Sequence, residues 1–201
     1  MIAIVDYGMG NLKSVQKALT FLNINSFISS KRDEISRSKG IIIPGVGAFP
    51  DAMENIKKDG LDLLIKEEAK KGKPILGICL GMQLLFEEGE EISNSKGLGF
   101  LKGKVVEIQG DVKVPHMGWN NLKFQKDSIL LRGVKEGSFT YFVHSYYAKL
   151  GEEGILNAYT EYGVSIPAIV SKDNIFGIQF HPEKSGEAGM KILKNFGELI
   201  I

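Results

Sequence analysis

Between Ile2 and Cys79 the chain alternates short, wholly apolar runs with longer amphipathic ones, and this alternation constrains its fold more than any other feature. Ile2–Val5, Asn25–Ile28, Gly40–Pro44 and Ile75–Ile78 are too short for core helices, and they read as buried strands, the third cut by Pro44. Between them, Asn11–Leu22 carries Leu12, Val15, Ala18, Leu19 and Leu22 at helical spacing. Leu61–Lys71 carries Leu61, Leu64 and Ile65 and is ended by Gly72 and Pro74. Leu80–Glu87 also reads as helix. Strands alternating with helices imply a parallel sheet covered on both faces.

The second half changes character. Lys104–Ile108, Asn121–Phe124, Ser138–Tyr147, Gly154–Tyr162, Ala168–Val170 and Asn174–Phe180 read as strands with turn signals between them, and Gly186–Leu199 as a closing helix. The expectation is an α/β chain with a mixed sheet, mostly parallel at its centre, with an antiparallel portion from the second half. With 201 residues and no convincing linker, one domain over 1–201 is expected.

The charge balance is nearly even, with a formal net charge of +1, which argues against a general nucleic-acid or membrane-surface binder. No apolar run reaches the roughly 20 residues that span a bilayer. The opening MIAIVDYG meets an acidic residue too early for a signal peptide. A lone cysteine, Cys79, leaves no internal disulfide and suits a reducing, cytoplasmic setting.

That cysteine lies in Gly77-Ile78-Cys79-Leu80-Gly81, after a buried strand and before an expected helix. G-x-C-x-G is the thiol counterpart of the nucleophile elbow, whose tight turn needs small neighbours and lifts the middle side chain above the sheet. A helix N-terminus there favours the thiolate, and the N–H of Leu80 becomes an oxyanion donor. Read alone, the pentapeptide fits a buried structural cysteine equally well. A base is available in His181 of Phe180-His181-Pro182-Glu183. In extended backbone His181 and Glu183 share a side, so the carboxylate can orient the imidazole. Pro44-Gly45-Val46-Gly47 ends another strand with glycines that let Val46 and Gly47 aim N–H groups at a ligand. Gly8-Met9-Gly10-Asn11 has lysine where a dinucleotide fingerprint needs its third glycine. The three histidines show no metal-ligand spacing. The acidic run Glu87–Glu91 reads, on charge alone, as a solvated helix end.

PGVGAF, GICLGMQLLFE and GIQFHPEKS, in that order, resemble the class I, triad-type glutamine amidotransferases. DYGMGN, PHMGWN and YFVHSYY resemble the branch that serves imidazole glycerol phosphate synthase. The likeness runs from Ile2 to about Ser185, with no departure at the triad. It implies a flavodoxin-like mixed sheet and hydrolysis of the glutamine side-chain amide through a thioester on Cys79. His181 then serves as acid and base, Glu183 orients it, and Leu80, Val46 and Gly47 hold the oxyanion. Gln83 and Glu91 bind substrate, Glu91 through the α-ammonium, and His144, Ser145 and Tyr146 receive the α-carboxylate. Asn11, Met117, Trp119, Tyr141 and Lys184 lie near a partner and the ammonia exit. By themselves Met117 and Trp119 read as core. The implied partner is the cyclase subunit, a (β/α)8 barrel, in a heterodimer; no cofactor or metal is implied. A different class I amidotransferase or a stand-alone thiol hydrolase on the same fold, and a non-catalytic regulatory subunit, are the competing readings.

Overall fold

The apolar runs become the inner strands of a twisted sheet in the computed structural model, which describes residues 1–200; the last residue of the expected domain, Ile201, lies outside the described residues. The first half contributes β1 (Ile2–Val5), α1 (Leu12–Phe21), β2 (Ser26–Ser29), α2 (Arg32–Ser36), β3 (Gly40–Gly45), α3 (Phe49–Lys58), α4 (Leu61–Lys70), β4 (Ile75–Cys79) and α5 (Leu80–Gln83). The second half contributes β5 (Phe86–Gly89), β6 (Ser95–Lys96), β7 (Leu101–Glu107), β8 (His116–Asn121), β9 (Lys123–Phe124), β10 (Phe139–His144), β11 (Tyr146–Leu150), β12 (Leu156–Tyr162), β13 (Val164–Lys172), β14 (Ile175–Ile178) and α6 (Gly186–Glu198).

The main sheet runs β2-β1-β3-β4-β14-β13-β12-β9. The first five strands are mutually parallel and the last three add antiparallel, as the change in sequence character predicts. Side chains alternate across it. Ala3, Val5, Ile41 and Ile43 pack under α2, α3 and α4, whereas Ile2, Ile4 and Ile42 meet α1 and α6 on the other face. Each inner strand is thus buried on both sides, which is why its sequence is apolar without alternation.

Five local expectations give way. Pro44 does not cut β3: pairing with β1 ends at Ile42, and on that flank the Tyr7 hydroxyl donates to the Pro44 carbonyl at 2.7 Å. The absent proline N–H therefore faces no strand. The helix expected over Leu80–Glu87 stops at Gln83. The acidic run is not a helix end either; Phe86–Gly89 is β5, buried at its ends and exposed at Glu87 and Glu88, in a separate sheet ordered β11-β7-β5-β6. Asn121–Phe124 divides between β8 and β9. Ser138–Tyr147 breaks at Ser145 into β10, paired with β8, and β11, paired with β7. No helix of the described residues is long and apolar enough to cross a membrane.

Candidate active site

Cys79 ends β4 with φ 55° and ψ −112°, a backbone that costs an ordinary residue about 1–3 kcal/mol. Its two flanking glycines let neighbouring backbone close in. A Cβ on Gly77 would stand 2.4 Å from the Gly81 carbonyl oxygen, and one on Gly81 would stand 1.7 Å from that of Ile43 in β3. The chain therefore turns sharply into α5 directly over the sheet, as the G-x-C-x-G spacing predicts. Because α5 is a single turn, its dipole is small, and local donors and charges matter more to the sulfur.

β14 lies beside β4 with Gly77 opposite Gly177, so the segment after Ile178 emerges next to the elbow. His181 has extended backbone, as expected before Pro182. Glu183 does not: Pro182–Lys184 is a short 3-10 turn, and this curl brings its carboxylate to the ring. His181 Nδ1 and Glu183 Oε1 are 3.0 Å apart, and both side chains are buried. Asn11 Nδ2 approaches the same oxygen at 3.4 Å. His181 Nε2 has no hydrogen-bond partner among the described residues, which leaves it for the thiol and a substrate. Burial pushes the imidazole pKa down, but the Cys79 sulfur and the Glu183 carboxylate outweigh it and raise it to about 10.

A cavity of about 340 Å³ opens above Cys79. Its wall includes Cys79, Leu80, His181, Val46, Gly47, Gln83, Glu91, His144, Ser145 and Tyr146, with Pro115 and Val143 in addition. Glu183 stands behind His181. Gly47 has φ 108°, open to glycine, and Val46 is half-exposed at the mouth. Glu91 Oε2 accepts from the Phe49 N–H at 2.7 Å, so a carboxylate distant in sequence caps α3 just after the Val46-Gly47 turn. Gln83 is buried, and its Nε2 donates to the Tyr146 carbonyl at 2.8 Å and to Gln179 Oε1 at 3.1 Å. Burial holds His144 near pKa 3 and His116 near pKa 4, so both rings are neutral.

The remaining expected residues gather beside this cavity. Met117 and Trp119 are 62% and 56% exposed, so neither is core. Trp119 stands edge-on to Tyr141 at 6.0 Å, and Lys184 Nζ lies 5.9 Å from the Tyr141 ring. Register places Trp119 opposite Tyr141 and Met117 opposite Val143. Three residues were not anticipated from the sequence. Ser185 accepts from Tyr141 N–H and donates to the His181 carbonyl, fastening β10 to the His-Pro-Glu turn. The Val143 carbonyl lies 3.9 Å from Cys79 Sγ, and Gln179 Nε2 lies 3.8 Å from it. A polar residue within the otherwise apolar Ile178-Gln179-Phe180 was the available signal.

The chain is similar to known proteins along its length. Residues 3–199 match the family model described as glutamine amidotransferase class-I. The chain is 54% identical over 200 residues to the imidazole glycerol phosphate synthase subunit HisH of Caldanaerobacter subterraneus subsp. tengcongensis, covering 100% of this chain and 98% of that one. It is 56% identical to the subunit of the same name from Oceanobacillus iheyensis, covering 100% of both. Among solved structures, PurLQS from Thermotoga maritima matches with a TM-score of 0.79 at 21% identity, over 100% of this chain and 98% of that one. Another, described as a glutamine amidotransferase, matches with a TM-score of 0.77 at 19% identity, over 98% and 100%; at such identities the likeness speaks to the fold alone. The family match runs through every element that carries the elbow, the His-Pro-Glu turn and the cavity wall, and the chain belongs to the class I glutamine amidotransferases.

Proposed function

We propose that this chain is the glutaminase subunit of an imidazole glycerol phosphate synthase and passes ammonia to a (β/α)8 cyclase subunit in a heterodimer. The observation that carries the reading is the buried His181–Glu183 pair at 3.0 Å, held beside a lone cysteine on a strained elbow at the floor of a cavity. Full-length identity above one half to relatives of that name supports the pathway.

In this reading the Cys79 sulfur attacks the side-chain carbonyl carbon of glutamine. With its pKa near 10, His181 holds a proton at neutral pH and gives it from Nε2 to the leaving nitrogen. Ammonia departs and a thioester remains. His181, now neutral, takes a proton from water, the hydroxide attacks the thioester, and glutamate leaves as Cys79 is restored. Leu80 and the Val46-Gly47 turn receive the carbonyl oxygen's charge. Glu91 offers its carboxylate to the α-ammonium. Both nitrogens of the neutral His144 ring are engaged within the protein, so Ser145 and Tyr146 are the members of their segment that meet the α-carboxylate.

Met117, Trp119, Tyr141 and Lys184 form the partner-facing edge, with aromatic groups suited to an interface centre. Ammonia is mostly ammonium in neutral water and is then no nucleophile, so a sealed passage between the subunits keeps it reactive. The chain works in the cytoplasm, where reducing conditions keep Cys79 a thiol.

The test is ammonia release from glutamine by this chain, alone and with a cyclase subunit and its nucleotide ligand. Release that rises sharply with the partner is expected. Cys79→Ala should abolish glutamine-dependent synthesis and spare synthesis from free ammonia. Glutamine turnover retained by that variant removes the triad assignment; strong release indifferent to the partner removes the pathway assignment.

A further inference from the structure

An unbroken line of hydrogen bonds runs behind the cavity wall and ends at Cys79. It starts at β8. Asn120 is fixed first: its Oδ1 accepts from Asn121 N–H and its Nδ2 donates to the Glu161 carbonyl. Nδ2 also approaches His116 Nε2 at 3.3 Å. An amide donor there requires a bare nitrogen, so His116 carries its proton on Nδ1. That N–H meets His144 Nε2 at 3.1 Å, which in turn puts the His144 proton on Nδ1, 2.8 Å from the Tyr146 carbonyl. Gln83 Nε2 donates to the same carbonyl and to Gln179 Oε1, and Gln179 Nε2 reaches Cys79 Sγ at 3.8 Å. Every donor meets an acceptor, and one assignment of tautomers and amides satisfies the whole line. His116 is clamped between Phe142 and Tyr162, with ring centroids 4.8 and 3.9 Å away, so it has no room to turn.

We infer that Gln179 is a further catalytic residue, donating a hydrogen bond to the Cys79 sulfur, and that His116 is a positioning residue that holds this donor in place through His144, Tyr146 and Gln83. The inference deepens the proposed thiol chemistry and rests on that reading. A hydrogen bond to the sulfur stabilises its charged form, and the acceptor at the far side, the Val143 carbonyl, suits only the protonated form. Gln179 tips that balance. Its amide can point only one way because Gln83 occupies its oxygen. The line begins on the strand that also presents Met117 and Trp119, so pressure on β8 from a docked partner would reach the sulfur through it.

The experiment is the pH dependence of Cys79 alkylation by iodoacetamide in the intact chain, with thermal unfolding as the check on folding. The titratable groups around the thiol are His181 and Tyr7, with His144, Glu91 and Tyr146 across the same cavity. Gln179→Leu is expected to move the reactivity profile to higher pH and to slow alkylation at pH 7 about tenfold or more, as befits a lost bond to a charged group. His116→Phe, whose ring fits the same aromatic clamp, is expected to move it in the same direction by a smaller amount. Gln179→Met keeps the volume without the donor and replaces the leucine variant if that one does not fold. A folded Gln179 variant with an unchanged profile overturns the catalytic assignment, and an unchanged His116→Phe profile overturns the line's reach. A wild-type thiol with the profile of a free cysteine removes the triad reading, whereas a perturbed wild type with unperturbed variants removes only this inference.

Discussion

Cys79 is held at φ 55° and ψ −112°, and the stability of two variants measures what that backbone costs. At an ordinary buried site, replacing alanine by glycine loses about 0.8 kcal/mol for the buried Cβ and about 0.5–1 kcal/mol of backbone entropy, roughly 1.5 kcal/mol together. At this elbow the same change also releases the strain, worth about 1–3 kcal/mol. Both variants lack the sulfur, so comparing Cys79→Gly with Cys79→Ala isolates the backbone. The expected difference runs from about 0.5 kcal/mol against glycine to about 1.5 kcal/mol in its favour. In a chain of this length 1 kcal/mol is worth about 2–4 °C in Tm. Urea unfolding with a shared slope, supported by Tm, is the assay. The reasoning is refuted if Cys79→Gly is less stable than Cys79→Ala by the ordinary 1.5 kcal/mol or so, about 3–6 °C. Equal or greater stability in an inactive glycine variant would show that the elbow is kept for its chemistry at the expense of the fold.

Gly81→Ala puts a Cβ 1.7 Å from the Ile43 carbonyl oxygen, so α5 must lift away from β3, and a loss of about 3 kcal/mol or more in urea unfolding is expected. Trp119→Ala, at a half-exposed position, should change unfolding free energy by less than about 0.5 kcal/mol, yet weaken binding of a cyclase subunit in titration by at least about tenfold. Stability should peak near pH 6.5, measured by urea midpoints from pH 4.5 to 9. Below it, His116 and His144, with pKa values lowered to about 4 and 3, bind protons only on unfolding, so stability falls as pH falls from about 6.5 by up to about 2.7 kcal/mol per unit. Above it His181, raised to about 10, binds its proton more tightly when folded; its contribution is complete below about 6.5 and is lost as pH rises to 10, by up to about 1.4 kcal/mol per unit.

The sequence made the inner sheet legible because burial on both faces leaves continuous apolar runs, and β1, β3 and β4 fall close to where Ile2–Val5, Gly40–Pro44 and Ile75–Ile78 lie. Helices with one buried stripe, α1, α4 and α6, were equally plain. α3 was missed although Phe49, Ala52, Met53 and Ile56 have helical spacing, because no local side chain caps it; its cap is Glu91, brought in by tertiary structure. Leu80–Phe86 is apolar whether read as helix or strand, so its division into α5 and β5 had no sequence signature. β8 reverses the usual rule, burying His116 and exposing Met117 and Trp119. At the site, the cysteine elbow and the His-Pro-Glu turn were readable because each is a local pattern. The partners of Gln83, Gln179 and Ser185 were not, since they come from strands far apart in the chain.

The insertion of β14 between β4 and β13 has a consequence for how the protein is born. Gly77 and Gly177 are neighbours in the sheet. The half of the chain that holds the thiol is made first, and the strand that leads to His181 follows about a hundred residues later, some 5–20 s at ordinary rates of synthesis. β1 to β4 can pair in the meantime, but β4 then presents an open edge and a cysteine with no histidine beside it. In the proposed mechanism, the docking event that closes this sticky edge is also the one that brings His181 to the sulfur. A ribosome-bound chain is therefore expected to be chemically quiet until it no longer needs protection from aggregation.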